Sequence, residues 1–222
     1  MLDKKTATCL TVYESLISKE DEPRTFICMG TPRGGTSMVA GVMAACGIFM
    51  GNDLPQNIED PEFNRDAHRN ISAEAFRNRL PAVIQSRNRE HSVWGWKYPR
   101  AGSYLEDIIS NIRNPHLIIV FRDPVPATMR AEPEDDTAAL KELRNRLRLE
   151  LSNLRLARSF KKPALMVSYE RSIRNPHGFI TQLTGFLNVP PPDNLDPVLE
   201  FMEPGRYKKP LLPTSSSDTG RK

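Results

Sequence analysis

Apolar residues along this chain fall into short unbroken runs separated by longer stretches with helical spacing. TFICM (25–29), HLIIVF (116–121) and ALMVSY (164–169) are too short for buried helices and are bounded by turn formers, which predicts strands covered on both faces. SVWGWK (92–97) reads as a fourth strand, with Trp94 and Trp96 on one side as core or pocket wall. Between these runs, small and apolar residues predict a helix over Met38–Gly47. Ile71, Ala75, Phe76, Leu80, Val83 and Ile84 predict another within 66–90, broken or kinked at Pro81. Leu105, Ile108, Ile109 and Ile112 share one side of a helix over Tyr104–Ile112. Leu140, Leu143, Leu147, Leu151 and Leu154 give Asp136–Phe160 the apolar stripe that a helix turns toward a core. A last helix, Pro176–Leu187, starts behind Asn175 in the capping position.

Strands that alternate with helices imply an α/β fold: one domain, with a central parallel β-sheet flanked by helices on both faces. The reading divides the chain into a poorly committed lead segment (1–24, with a possible helical turn at Tyr13 to Ile17), an α/β domain (25–202) and a tail (203–222) expected to be disordered past Leu212. Residues 51–65, GNDLPQNIEDPEFNR, hold two prolines and many turn formers, and form a loop at the edge where a pocket would be built.

One turn carries more chemistry than the pattern requires. Gly30-Thr31-Pro32-Arg33-Gly34-Gly35-Thr36-Ser37 lies between the TFICM strand and the next helix, so a glycine-rich turn feeds a helix N-terminus. Backbone N–H groups unpaired there, with the helix dipole behind them, form an anion cradle. Against the phosphate-loop pattern G-x-x-x-x-G-K-[ST], Gly30, Gly35 and Ser37 are in register, but Thr36 stands at the lysine position. The cradle is expected to hold a phosphate without the lysine that serves a γ-phosphate.

Composition narrows the partners. The 222 residues hold 31 Lys plus Arg against 27 Asp plus Glu, a net charge of +4, and the charges are scattered. That suits a small anionic ligand and argues against nucleic acid, which favours a concentrated basic stripe. Three cysteines without C-x-x-C spacing predict free thiols in a reducing compartment, and four dispersed histidines give no readable metal site. The first 24 residues have neither a signal-peptide pattern nor an apolar run long enough to span a membrane, so a cytoplasmic protein is expected.

In a parallel α/β sheet, ligands bind beyond the carboxyl ends of the strands. Those ends carry GTPRGGTS, Lys97-Tyr98-Pro99-Arg100, Arg122-Asp123-Pro124 with Thr128 and Arg130 farther on, and Glu170-Arg171. Cations thus converge on one rim. This order resembles the sulfotransferases that use 3′-phosphoadenosine-5′-phosphosulfate (PAPS), particularly bacterial members with a P-R-[SG]-G-T-[ST] loop, over about residues 25–190. WGWKYPR is similar to their W-G-x-K-x-P-R element, and MVSYERSIRNPHGFITQLTGFLNV to their late strand and its helix.

The resemblance implies a P-loop-like fold and transfer of a sulfuryl group from PAPS to a hydroxyl of a carbohydrate, glycolipid or small metabolite, leaving 3′-phosphoadenosine-5′-phosphate (PAP). By it, Arg33, Gly34, Gly35, Thr36 and Ser37 bind the 5′-phosphosulfate end, and Arg122 takes the 3′-phosphate. The serine usual eight residues later is Arg130 here, so either Thr128 supplies the hydroxyl or Arg130 binds through its own fork. Arg33 and Lys97 would stabilise the bridging and sulfuryl oxygens without a metal. The resemblance points to Glu59 as general base; His68 rivals it because a neutral imidazole is better matched near pH 7. Because the chain is shorter than many members that it resembles, part of the acceptor pocket is expected to be trimmed or to come from a second subunit. Two other readings remain open: a P-loop kinase, with Asp123 as its magnesium acid, and a catalytically silent nucleotide-binding module of the same fold.

Overall fold

A computed structural model describes residues 6–19 and 21–204. Five strands form one sheet in the order β1-β5-β4-β2-β3. They are β1 (Cys9–Val12), β2 (Arg24–Gly30), β3 (Val93–Lys97), β4 (Pro115–Phe121) and β5 (Ala164–Ser168). β2 lies inside the sheet, with parallel neighbours β3 and β4, and β4 pairs in parallel with β5. All seven residues of β2 are buried, as are the first six of β4, which is why these runs show no alternation.

The helices are α1 (Thr36–Ala45), α2 (Ala73–Glu90), α3 (Leu105–Ile108), α4 (Pro124–Met129), α5 (Asp136–Phe160), α6 (Tyr169–Arg174), α7 (Pro176–Leu187) and α8 (Asp196–Met202). Alternate strand residues face two separate cores. Phe26, Cys28, Ile118 and Val120 pack with α1, α7 and α8, whereas Ile27, Met29, Leu117 and Ile119 pack with α2, α3 and α5. Full burial of each of the larger apolar side chains among these stabilises by roughly 1.5–3 kcal/mol, so helices on both faces are needed to hide the sheet. Mixed α/β architecture in a single domain agrees with the sequence reading. Among the described residues, no helix is long and apolar enough to cross a membrane.

The chain departs from its pattern in four places. The lead segment supplies β1, which pairs antiparallel with β5, and Gln182 of α7 fixes it by accepting from the Thr8 and Cys9 amides. Its CLTV run is short and half-exposed, and only the open edge of β5 makes it a strand. α2 runs through Pro81 uninterrupted, because Phe76, Leu80, Ile84 and Arg87 on its inner face hold both halves to the core. The helix expected over 104–112 is one turn of α3 followed by a 3-10 turn at Ile109–Asn111. The largest departure is α5: its buried residues are Arg146, Asn153, Leu156 and Ala157, and Leu140, Leu147, Leu151 and Leu154 face outward. The expectation for the tail falls, from residue 205 on, outside the described residues.

Candidate active site

The glycine turn leaves β2 and enters α1 at the carboxyl edge of the sheet. Gly35 precedes α1 at φ 94°, a conformation favourable to glycine, and a Cβ there would sit 2.2 Å from the Tyr169 ring. A Cβ on Gly34 would meet Thr31 O at 2.6 Å. The turn sorts its backbone polarity. Thr31 O accepts from the Gly34 amide (2.9 Å), Pro32 O from Arg146 Nη1 (3.0 Å), Arg33 O from Arg122 Nη1 (2.7 Å) and Gly35 O from the Met38 amide (3.0 Å). The N–H groups of Gly35, Thr36 and Ser37, by contrast, have no hydrogen-bond partner among the described residues. Three amides at the start of a ten-residue helix fit an anionic oxygen cluster.

Thr36 itself turns its side chain inward: it is buried, with Cγ2 3.0 Å from where a Gly30 Cβ would be. Its contribution to the cradle is its amide. The Ser37 hydroxyl donates to Asn57 O (2.9 Å).

Lys97 ends β3 with its side chain only 2 % exposed. Its ammonium donates to Glu59 Oε1 (2.8 Å), Asn57 O (3.0 Å) and Ser37 Oγ (3.3 Å), which uses all three N–H bonds. Burial pushes the Lys97 pKa below the usual lysine range, with the Glu59 carboxylate opposing that shift. The longest of the three bonds, to Ser37, is the one that an incoming anionic oxygen would most easily replace. Lys97 thereby connects the 51–65 loop to the first turn of α1.

Glu59 is held from both sides. Asn64 Nδ2 donates to its second oxygen at 2.8 Å, and Asn64 Oδ1 accepts the amides of Asp66 and Ala67 as N-cap of the 3-10 turn Arg65–His68. Glu59 therefore keeps one orientation, with an ammonium on one oxygen and an amide on the other. Below it, Asp60 is buried, accepts from Arg87 Nη2 (3.4 Å) and from the Glu62 amide (3.0 Å), and anchors the loop. Burial pushes its carboxyl up to about 6.

The structure brings Ser37, Glu59 and Lys97 together but not His68. His68 Nε2 lies 2.9 Å from Pro61 O and 3.2 Å from Arg79 Nη1, and its ring leans on Phe76. A carbonyl can only accept, so the nearer contact assigns the proton to Nε2. No hydrogen bond among the described residues links His68 to Glu59 or Lys97.

The other side of the cradle is built by arginines. Arg33, at φ 60° and exposed, donates to Arg130 O at the end of α4 (2.8 Å), so its fork points along the rim and away from Lys97. Arg122 spends one arm on Arg33 O, and its guanidinium lies 4.5 Å over the Tyr169 ring. Its Nε is buried without a hydrogen bond, 3.9 Å from Glu170 Oε1. Thr128 Oγ1, one turn along α4, is also buried and without a partner, whereas Arg130 is exposed. Leaving a buried polar atom unpaired costs about 1–3 kcal/mol, and both of these atoms have a proton to give to an acceptor. Asp123 caps α4 through the Val125 amide (2.9 Å).

Sequence reasoning missed Asn57, Asn64, Tyr169 and Arg146. The cap position of Asn64 ahead of a short polar turn was the one available signal. Arg146 was hidden inside a leucine-rich helix, where its burial could not be foreseen.

No family model matches the chain, and no curated protein matches it in sequence. Among solved structures it is similar to the sulfotransferase domain from the Synechococcus PCC 7002 olefin synthase, with 19% identity and a TM-score of 0.52 over 86% of this chain and 80% of that one. An amide cradle between β2 and α1, a buried lysine at the end of β3 and an arginine at the end of β4 thus sit on a backbone shared with that domain, and the chain has the sulfotransferase fold.

Proposed function

We propose that this chain transfers a sulfuryl group from PAPS to the hydroxyl of a carbohydrate, glycolipid or other small metabolite. The observation that carries the reading is the Lys97–Ser37–Glu59 cluster, hydrogen-bonded across the mouth of a cradle whose three leading amides are unpaired. The donor would supply the sulfuryl group and a nucleotide phosphate as leaving group. The unpaired amides of Gly35, Thr36 and Ser37 fit its 5′-phosphosulfate end, and Arg122 with Thr128 fits a 3′-phosphate. Arg33, held along the rim by Arg130 O, would have to exchange that bond to reach the same oxygens. As the acceptor oxygen bonds to sulfur and the bridging S–O bond breaks, the hydroxyl proton passes to Glu59 and the electron pair stays on the phosphate oxygen. Lys97 and the loop amides face the negative charge that develops there, and such donors cost no reorganisation when they are already in place. Asn64 keeps Glu59 aimed while the proton moves.

Two measurements test this. PAP should raise the melting temperature and Mg-ATP should not, and sulfate transfer to a hydroxyl acceptor should follow; stabilisation by Mg-ATP alone would support a kinase, and binding of PAP without turnover a silent module. At saturating donor, Glu59→Gln should lower kcat by on the order of 10²-fold or more while His68→Asn leaves it within a few fold. The opposite ranking transfers the base to His68.

A further inference from the structure

The outward leucines of α5 form a surface that the transfer reaction does not use. Leu140, Leu147, Leu151 and Leu154 are 68, 50, 47 and 44 % exposed, and steps of seven, four and three residues put them on one face of a helix about 37 Å long. Arg144, Arg148 and Arg155 form the adjoining exposed row, Lys141 borders it, and Arg158 continues the leucine row. All five charges are positive, and none is ion-paired among the described residues. Of the acids on α5, Glu142 lies on another side of the helix, tied to Arg146 at 2.7 Å, Glu150 is half-buried beside the leucine row, and exposed Asp136 stands one turn before Leu140. Helix α4 packs on α5 and carries exposed Val125 and Met129 of its own.

We propose that this face seats the protein on an anionic lipid surface. Leucines beside a row of cations match a headgroup boundary, where apolar side chains enter and arginines reach phosphates. Charge complementarity selects this occupant over a second copy, because five unpaired cations beside the leucine row face only exposed Asp136 at its start and half-buried Glu150, so self-pairing would leave most of the positive charge unmatched. A soluble acidic protein shares the charge match, but it would need pockets for its own side chains. The leucine row lies along one helix, and the two cavities against β1 and β5 and on the outer side of α2 include none of its residues. A lipid boundary requires no such shape match.

The test is co-sedimentation of the full chain with phosphatidylcholine vesicles, with and without about a third of phosphatidylglycerol. Binding should require the anionic lipid, weaken as salt rises, and fall by on the order of a hundredfold in Arg148→Glu/Arg155→Glu and tenfold in Leu147→Gln/Leu151→Gln. Melting temperatures of both variants should stay near that of the parent, since all four side chains are exposed. Equal binding to neutral vesicles, or binding unaffected by either variant, would overturn the proposal. So would dimerisation in sedimentation that the leucine variant abolishes, or polyglutamate competing as well as the anionic vesicles.

Discussion

Replacing Lys97 by methionine should lower turnover in the proposed sulfuryl transfer by on the order of 10²–10³-fold while PAP still raises the melting temperature. Methionine fills much of the space of the buried stem and removes only the ammonium. The amides of Gly35, Thr36 and Ser37 remain to hold a nucleotide, so binding and turnover should separate. A control is available in pH. Because burial lowers the Lys97 pKa, the ammonium is lost at a lower pH than in a free lysine. Turnover should therefore decline on the alkaline side before the usual lysine range is reached, and the residual activity of Lys97→Met should lack that limb. A variant that keeps full turnover, or loses PAP binding in parallel with turnover, removes Lys97 from the chemistry.

The second large effect should come from Arg87, which touches no part of the cradle. Its guanidinium pairs with Asp60 and lies 4.7 Å over the Phe49 ring, and both ionic groups are nearly inaccessible. Arg87→Met should destabilise the fold by about 3–5 kcal/mol near neutral pH, because a buried carboxylate is left without its cation. In a chain of this length that lowers the melting temperature by on the order of 10 °C. The sign of the pH dependence follows from Asp60. Its carboxyl is raised to about 6, so the folded chain holds this proton more tightly than the unfolded chain does. The stability contributed is complete below about pH 4 and is lost as pH rises through 6, a decline of about 3 kcal/mol. Asp60→Asn should flatten that limb in urea titrations from pH 4 to 7. The penalty of Arg87→Met should also shrink at pH 4, where the carboxyl is neutral; a penalty independent of pH would mean that packing against Phe49 dominates.

The strands were legible because their burial leaves a plain mark. A seven-residue run covered on both faces cannot accommodate exposed polar side chains, so β2 and β4 stand out from the chain around them. The cradle was legible for a related reason: Gly34 and Gly35 occupy positions that Thr31 and Tyr169 close to any Cβ. What remained hidden depends on contacts made across the fold. Whether CLTV becomes β1 is decided by the edge of β5, more than 150 residues away. The leucine spacing of α5 announced a helix correctly and its orientation wrongly, because periodicity reports a face and not which neighbour covers it. Arg146 and Asn153 take the inner side instead, and Arg146 is committed to Pro32 O. His68 rivals Glu59 in the sequence because imidazole suits general-base work near pH 7, which says nothing about reach; Pro61 and Arg79 occupy it.

The sorted backbone of the glycine turn has a consequence for how binding strength is inherited. With its carbonyls occupied by Arg122, Arg146 and neighbouring amides, the turn offers a visitor donors and almost no acceptors, so cations are refused by the same arrangement that welcomes anions. The ordering of those donors is completed during folding, by guanidinium groups on β4's exit and in the middle of α5. For the nucleotide proposed above, affinity would thus be partly encoded in Arg146, more than a hundred residues from the turn that displays it.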